Sequence, residues 1–126
     1  MEHLYIEQSP HTPEVYFNLD ENKLCLIGRS FPEDASAFYA PIIDWLEHNI
    51  QEFPEGFTIE IHLDYYNTSS SKYLLKIFRF LEEYHSKTSV PVCIHWFYPE
   101  NDDDVKNAGL EFQQFVAVPF KFEIEQ

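Results

Sequence analysis

The sequence is poor in glycine and in basic residues. It contains 3 glycines, and neither a G-x-G-x-x-G pattern nor a Walker-type lysine loop occurs, so nucleotide-binding loops of these two kinds are not expected. The 8 lysines and arginines stand against 22 acidic residues, which gives a formal net charge of −14. Because such a chain repels nucleic-acid backbones and anionic lipid surfaces, we expect neither as a partner and favour a partner with a basic face, or a protein partner in general.

Cysteines and long apolar runs are also scarce. The 2 cysteines, Cys25 and Cys93, are too few for a disulfide scaffold and lack C-x-x-C spacing, so we interpret them as reduced thiols packed as small hydrophobic side chains. No stretch reaches the roughly 18–20 apolar residues of a membrane-spanning helix. The N-terminal stretch MEHLYIEQSPHTPEVYF has no basic region followed by an apolar run. We therefore predict a cytoplasmic protein without a signal peptide or membrane insertion.

The apolar content is sufficient for one hydrophobic core. Hydrophobic residues make up 44% of the chain, and residues 1–126 are predicted to form a single domain. Alternating apolar residues predict strands, and apolar residues three and four positions apart predict helices. The predicted order is β-β-α-β-α-β-α-β, with strands at 14–19, 23–28, 57–66, 89–98 and 120–126 and helices within 29–53, from 68–71 onward, and within 99–115. The first 13 residues are predicted to be irregular.

This order indicates a two-layer α/β fold with a mixed sheet. The first two strands form a hairpin, and strand–helix–strand connections usually join parallel strands. Because the strands alternate rather than run wholly apolar, the helices are predicted to cover one face of the sheet, with Tyr65 and Ile124 among the inward-facing residues. Pro41 interrupts the first helical pattern, so either the regular helix starts near Pro41 or it is kinked there.

Histidines and acidic residues raise the question of a metal site. His62 and His95 are predicted on the outward faces of two strands, with Asp64 and Cys93 nearby, a set that could ligate zinc or support acid–base catalysis. Polar residues at these positions are, however, also what an open sheet face requires. The acidic run at 100–104 lacks the spacing of a calcium loop and suits a helix start. We therefore expect no metal, no cofactor and no enzyme activity.

Aromatic residues are abundant, at 17% of the chain. Most of them occupy predicted core positions. The remainder, Tyr39, Tyr66, Tyr73 and Phe97, are candidates for an exposed binding surface.

Four consecutive hydroxyl side chains, Thr68, Ser69, Ser70 and Ser71, lie where a predicted strand gives way to a predicted helix. Either Thr68 or Asn67 would serve as the helix N-cap, which accounts for one residue. The serines are mediocre helix formers. A helix start also favours an anion, and a phosphate would add about −1.5 to −2 charges there. The run therefore indicates either a cap with a polar surface or a site of phosphorylation.

The chain also resembles known families. The hydroxyl residue that opens the second helix is similar to the regulatory position of STAS-type anti-anti-sigma factors, and the chain as a whole resembles the SiaC family of bacterial regulatory phosphoproteins. The matching stretches are 12–17, 28–47, 63–78, 94–98 and 118–124. The most specific element is Y-x-N-T-S-S-x-K, formed here by Tyr65, Asn67, Thr68, Ser69, Ser70 and Lys72.

The resemblance implies a non-catalytic partner switch centred on Thr68 as the phosphoacceptor. A GHKL-type kinase would add the phosphate, a PP2C-type phosphatase would remove it, and the unphosphorylated form would bind and activate a diguanylate cyclase, in cyclic-di-GMP and biofilm signalling. Partner or phosphate contacts are expected from Asn67, Ser69, Ser70, Ser71, Lys72, Asp64 and Tyr66. Lys72, one helical turn after Thr68, is expected to hold the phosphate or, in its absence, to pair with Asp64.

Two alternatives stay open at this point. One is a two-layer α/β module that binds a ligand or protein without a phosphoswitch, the serines then forming the cap and surface. The other is a hydrolase or metal enzyme built on His62, His95 and Asp64. The sequence also leaves open whether Ser69, Ser70 or Ser71 is an alternative phosphoacceptor.

Overall fold

The structure, a computed structural model, describes residues 3–126. The strands are β1 (Leu4–Ile6), β2 (Glu14–Asn18), β3 (Lys23–Ser30), β4 (Phe57–Tyr66), β5 (Val92–Pro99) and β6 (Phe120–Glu125). The helices are α1 (Ala35–Asn49), α2 (Thr68–Thr88) and α3 (Asp103–Phe115), with a short 3₁₀ turn at Ile50–Glu52 after α1. Within the described residues, no helix is long and apolar enough to cross a membrane.

The six strands form one mixed sheet in the order β1-β2-β3-β4-β5-β6. The pairs β1–β2 and β2–β3 are antiparallel, and the pairs from β3 to β6 are parallel. The predicted hairpin and parallel pairs are confirmed, and the likeness to STAS domains stays a prediction. The irregular lead-in was wrong in part, because Leu4 and Ile6 pair with Phe17 and Val15 as an edge strand. Three residues are too few for an alternating pattern to be recognised.

All three helices pack on the same face of the sheet, as predicted. Aligned residues of neighbouring strands, among them Phe17, Leu24, Ile59, Ile94 and Phe120, form this face. In α1, Trp45 packs 5.1 Å from Phe17; in α2, Phe78 packs 5.8 Å from Phe120; in α3, Phe112 packs 5.7 Å from Trp96 (ring centroids). The fold is therefore two-layered, and the opposite sheet face carries no helix among the described residues.

Helix α1 starts before its proline. Asp34 caps it by accepting a hydrogen bond from the backbone N–H of Ala37, and Pro41 lies in its interior. The helix therefore does not start at Pro41, which was one of the two alternatives. Pro41 has no backbone N–H to donate to the carbonyl of Ala37, so this turn of the helix lacks one backbone hydrogen bond.

A β-bulge near the end of β4 changes which residues face the helices. Gly28 pairs with Leu63, but the next residue, Arg29, pairs with Tyr65, so Asp64 is the extra residue. After the bulge Tyr66 faces the helices, whereas Tyr65 is 45% exposed. The prediction that Tyr65 points inward was therefore wrong. Ile124 is also exposed rather than buried, since it lies near the end of the edge strand β6.

Candidate functional site at the start of helix α2

The junction between β4 and α2 is held by Asn67. Its side-chain oxygen accepts a hydrogen bond from the backbone N–H of Ser70 at 2.8 Å, so Asn67, rather than Thr68, is the N-cap. Its own backbone N–H donates to the carbonyl of Ser30 at 3.0 Å, and its carbonyl accepts from the N–H of Ser71. Because Asn67 does the capping, the hydroxyl of Thr68 is released from that role.

Two of the four hydroxyl side chains are engaged in the fold. Ser70 is fully buried, and its Oγ lies 2.8 Å from Ser30 Oγ and donates to the Ser30 carbonyl at 3.0 Å. Ser30 Oγ in turn lies 2.6 Å from the hydroxyl of Tyr39, so three hydroxyl groups form a buried network. The hydroxyl of Ser71 donates to the carbonyl of Thr68 at 2.9 Å.

The other two hydroxyl side chains are exposed. Thr68 and Ser69 are the first two residues of α2, and neither side chain has a hydrogen-bond partner among residues 3–126. A helix start leaves its first backbone N–H groups without helical partners and carries the positive end of the helix dipole. In α2, Asn67 accepts hydrogen bonds from the backbone N–H groups of Ser70 and Ser71. The backbone N–H groups of Thr68 and Ser69 have no partner in the described chain. An anion at this turn would meet free donors.

The charges around this turn differ from the expected arrangement. Lys72 is exposed, and Asp64 forms its ion pair with Arg29 instead, with 3.9 Å between Nε and the carboxylate. The expected pair between Lys72 and Asp64 was therefore wrong, because the bulge places Asp64 beside β3. The Arg29 guanidinium also lies over the rings of Phe31 and Tyr65, at 5.3 and 5.4 Å from their centroids.

A groove runs beside the turn, between α2 and α3. It encloses about 310 Å³ and is lined by Tyr66, Ser71, Lys72, Leu75, Ala108, Glu111, Phe112 and Phe115. Phe115 is 61% exposed. Burial, followed by the negative charge of Glu111, raises the pKa of Tyr66 to about 12, so its hydroxyl is protonated at neutral pH. The groove thus offers apolar surface next to the exposed hydroxyl groups.

The four aromatic residues singled out as binding-surface candidates have different environments. Tyr39 is fully buried, so its assignment to a surface was wrong; its hydroxyl belongs to the Ser30–Ser70 network. Tyr73 stacks on Tyr39 with the rings 3° from parallel and is half-buried. Tyr66 lines the groove, and Phe97 lies on the open sheet face.

The histidine set considered for metal binding or catalysis is not assembled. His62 bonds to Glu125 and Glu60, each at 2.9 Å, whereas His95 Nε2 lies 2.8 Å from Glu123. The ring of Phe97 separates the two imidazoles, with centroids 3.9 Å from His62 and 4.1 Å from His95. Asp64 is held by Arg29. A site built on His62, His95 and Asp64 was therefore a wrong alternative.

Sequence reasoning missed Arg29, Ser30 and Tyr39. All three lie within 28–47, a stretch already identified by its resemblance, but Arg29 and Ser30 had no assigned role and Tyr39 had been assigned to an exposed surface. The only available signal was a pair of small polar residues, Ser30 near the end of a predicted strand and Ser70 near the start of a predicted helix. Their contact spans 40 positions of sequence and depends on the register between β3 and β4.

Fold and site together define a small mixed α/β protein with an exposed threonine at the positive end of a helix. The side chain of this threonine has no hydrogen-bond partner among the described residues. Over residues 6–125 the sequence matches the family described as SiaC family regulatory phosphoprotein. The chain belongs to this family. It is therefore a regulatory protein rather than an enzyme, as the sequence predicted.

Relatives with solved structures come from Pseudomonas aeruginosa. SiaC in the crystal structure of the diguanylate cyclase SiaD with its activator SiaC is 28% identical; the match covers 97% of this chain and 99% of that chain, with a TM-score of 0.90. The apo form of SiaC is 28% identical, with 98% and 99% covered and a TM-score of 0.88. An uncharacterized protein of strain UCBPP-PA14 is 29% identical over 95% of this chain and 94% of its own length.

Proposed function

We propose that the protein is a cytoplasmic partner switch in which Thr68 is the phosphoacceptor. A GHKL-type kinase phosphorylates Thr68, and a PP2C-type phosphatase removes the phosphate. The unphosphorylated form binds and activates a diguanylate cyclase and thereby acts in cyclic-di-GMP and biofilm signalling. The observation that carries this proposal is the exposed Thr68 hydroxyl, without an intramolecular partner in the described chain, at a helix start already capped by Asn67.

The environments of the four hydroxyl groups favour Thr68. Ser70 is excluded by complete burial, since a kinase cannot reach a side chain with no exposed surface. Ser71 is half-buried and its hydroxyl is bonded to the Thr68 carbonyl. Ser69 is exposed and is the remaining competitor, so it serves as the matched control in the experiment below.

Phosphate at Thr68 would alter binding more than folding. About −1.5 to −2 charges would face the free N–H groups of the first turn, a location that stabilises anions, and Lys72 lies one turn further on. The same charge would stand beside the apolar groove that contains Phe115 and add to the acidity of Glu111 on its rim. A partner with an apolar surface could dock there only by burying an unpaired charge, and a partner with an acidic surface would be repelled.

The diguanylate cyclase is proposed as the partner because a relative of this chain binds one. SiaC of Pseudomonas aeruginosa is crystallised with the cyclase SiaD, which it activates, and nearly all of this chain aligns with that SiaC. The net charge of −14 favours a basic contact surface on the cyclase away from the start of α2, whereas the part of the cyclase that docks in the groove beside Thr68 is expected to be apolar or acidic.

Phosphosite mapping by mass spectrometry, on the protein from its native cells, tests the proposal directly. One phosphate on Thr68, lost in Thr68→Ala and retained in Ser69→Ala, is the expected result. Thr68→Ala should still capture the cyclase, and Thr68→Asp should bind it less tightly. Phosphate confined to Ser69 would move the switch by one residue, and no phosphate under any growth condition would overturn it.

The second candidate function is a binding module without a phosphoswitch, which the groove between α2 and α3 favours. It predicts that cyclase binding depends on Phe115 but is equal for the unmodified chain, Thr68→Ala and Thr68→Asp. Affinities of these three proteins together with Phe115→Ala therefore separate the two functions.

A further inference from the structure

Three side chains with metal-ligand chemistry meet on the open face of the sheet, away from the start of α2. They are Cys25 on β3 and Glu60 and His62 on β4, and one ligand atom from each lies within 4.8 Å of the other two. Cys25 Sγ is 3.6 Å from Glu60 Oε1, and His62 Nε2 is 2.9 Å from the same oxygen. Strand register produces this cluster, because Cys25 is paired directly with Glu60.

We propose that Cys25, Glu60 and His62 bind a zinc ion. Zinc prefers thiolate, imidazole and carboxylate ligands in tetrahedral geometry, and the typical bond lengths place ligand atoms about 3.4–3.6 Å apart. Two of the separations in the cluster are 2.9 and 3.6 Å and the third is within 4.8 Å, so shifts of roughly an ångström bring it to that geometry. Three protein ligands leave the fourth position for water.

The orientation of His62 supports a metal-binding role. While Nε2 points to the cluster, Nδ1 lies 2.9 Å from a carboxylate oxygen of Glu125 on β6. Metal-binding histidines almost always donate their other ring N–H to a carboxylate or carbonyl, which fixes the tautomer and the ring orientation. Stacking on Phe97, at 3.9 Å between centroids, holds the same ring from its face. The imidazole is therefore positioned before any ion arrives.

Binding requires the Cys25 thiol to lose its proton. In the structure the thiol donates a hydrogen bond to the Glu60 carboxylate. When zinc binds, the S–H bond breaks, the electron pair forms the zinc–sulfur bond, and the proton leaves to solvent.

The test uses the full chain without an affinity tag, titrated with Zn²⁺ in competition with a chromophoric chelator. One equivalent should bind. Replacement of zinc by Co²⁺ should produce a thiolate-to-cobalt charge-transfer band, which reports the sulfur ligand independently of affinity. Cys25→Ser should abolish the band, and His62→Gln should weaken binding more than tenfold. Glu125→Gln, which removes only the partner of the imidazole, should weaken binding about 10–100-fold.

Matched controls lie on the same sheet face. Cys93→Ser and His95→Gln remove the same chemical groups from β5, outside the cluster, and should retain both binding and the cobalt band. Because Cys25 is buried, circular dichroism must show that Cys25→Ser folds; His62→Gln gives a second test if it does not. The proposal is overturned if the parent chain does not bind Zn²⁺ at micromolar concentration. It is also overturned if stoichiometric zinc binding is lost only in the control variants. Thr68→Ala should bind zinc like the parent chain, so this result is independent of the phosphoswitch.

Discussion

Ser70 Oγ lies 2.8 Å from Ser30 Oγ, and this contact joins the first turn of α2 to the end of β3. Ser70 also donates to the Ser30 carbonyl, and that carbonyl accepts from the backbone N–H of Asn67. The end of β3 therefore fixes the position of the turn that carries Thr68. The four hydroxyl residues that look alike in sequence thus differ in the structure: Ser70 is buried, Ser71 is half-buried, and the hydroxyl groups of Thr68 and Ser69 are exposed.

Ser70→Ala should lower the free energy of unfolding by about 1–3 kcal/mol, because it leaves buried polar groups of Ser30 with fewer partners. Urea denaturation measures this as a lower midpoint with an unchanged slope. Ser69→Ala, the same change one position earlier on the exposed surface, should stay within about 0.5 kcal/mol of the parent chain. Equal losses in the two variants would show that the buried network does not stabilise the fold.

Gly109→Ala should destabilise the protein, although alanine is usually the better helix residue by about 1 kcal/mol. A Cβ at Gly109 would lie 2.7 Å from the indole ring of Trp96, whose Nε1 donates to the Val105 carbonyl at 2.9 Å. Overpacking of this kind costs about 1–3 kcal/mol. Asn107→Ala, at an exposed position of α3, is the control and should be neutral. A Gly109→Ala variant as stable as the parent chain would show that α3 can move away from the sheet without loss.

Tyr66→Phe should remove part of the loss of stability at alkaline pH. Since the folded-state pKa of Tyr66 is raised to about 12, its contribution is complete below the unfolded value near 10 and disappears as the pH rises from there through 12. Denaturation midpoints measured across this pH range should fall less steeply for Tyr66→Phe than for the parent chain. Tyr65→Phe, an exposed tyrosine of the same strand, should follow the parent curve, and coincidence of all three curves would contradict the prediction.

Lys72→Ala should reduce the effect of phosphate at Thr68 on thermal stability. The phosphorylated parent chain is expected to melt at a higher temperature than the unmodified chain, and part of this gain should be lost in Lys72→Ala and in high salt. Lys76→Ala, one turn further along α2 and close to the Tyr73 ring, is the matched control. If both lysine variants keep the full gain, Lys72 does not contact the phosphate.

Local patterns predicted the strands better than the contacts between them. The alternation of Phe57, Ile59, Ile61 and Leu63 is strong enough to define β4 with its observed bounds, 57–66. The bulge at Asp64 could not be predicted, because it is a property of the pairing between two strands rather than of one segment. It is this bulge that turns Tyr66 towards the helices and places Asp64 beside Arg29.

The candidate site was predictable in position but not in its internal roles. Helix-cap chemistry and family resemblance both indicated the run from Asn67 onward, whereas the choice of Asn67 over Thr68 as cap depends on a backbone geometry that sequence does not determine. The cluster of Cys25, Glu60 and His62 was missed because it requires the register of β3 against β4. The prediction from sequence had instead grouped residues that were expected to lie on the outward faces of their strands.

The order of strands in the sheet is the order of strands in the chain. During synthesis, each strand that leaves the ribosome therefore finds its neighbour already made, and no late segment has to be inserted between two earlier strands. Such vectorial assembly keeps the unpaired edge short-lived, because each edge is covered by the next strand to emerge.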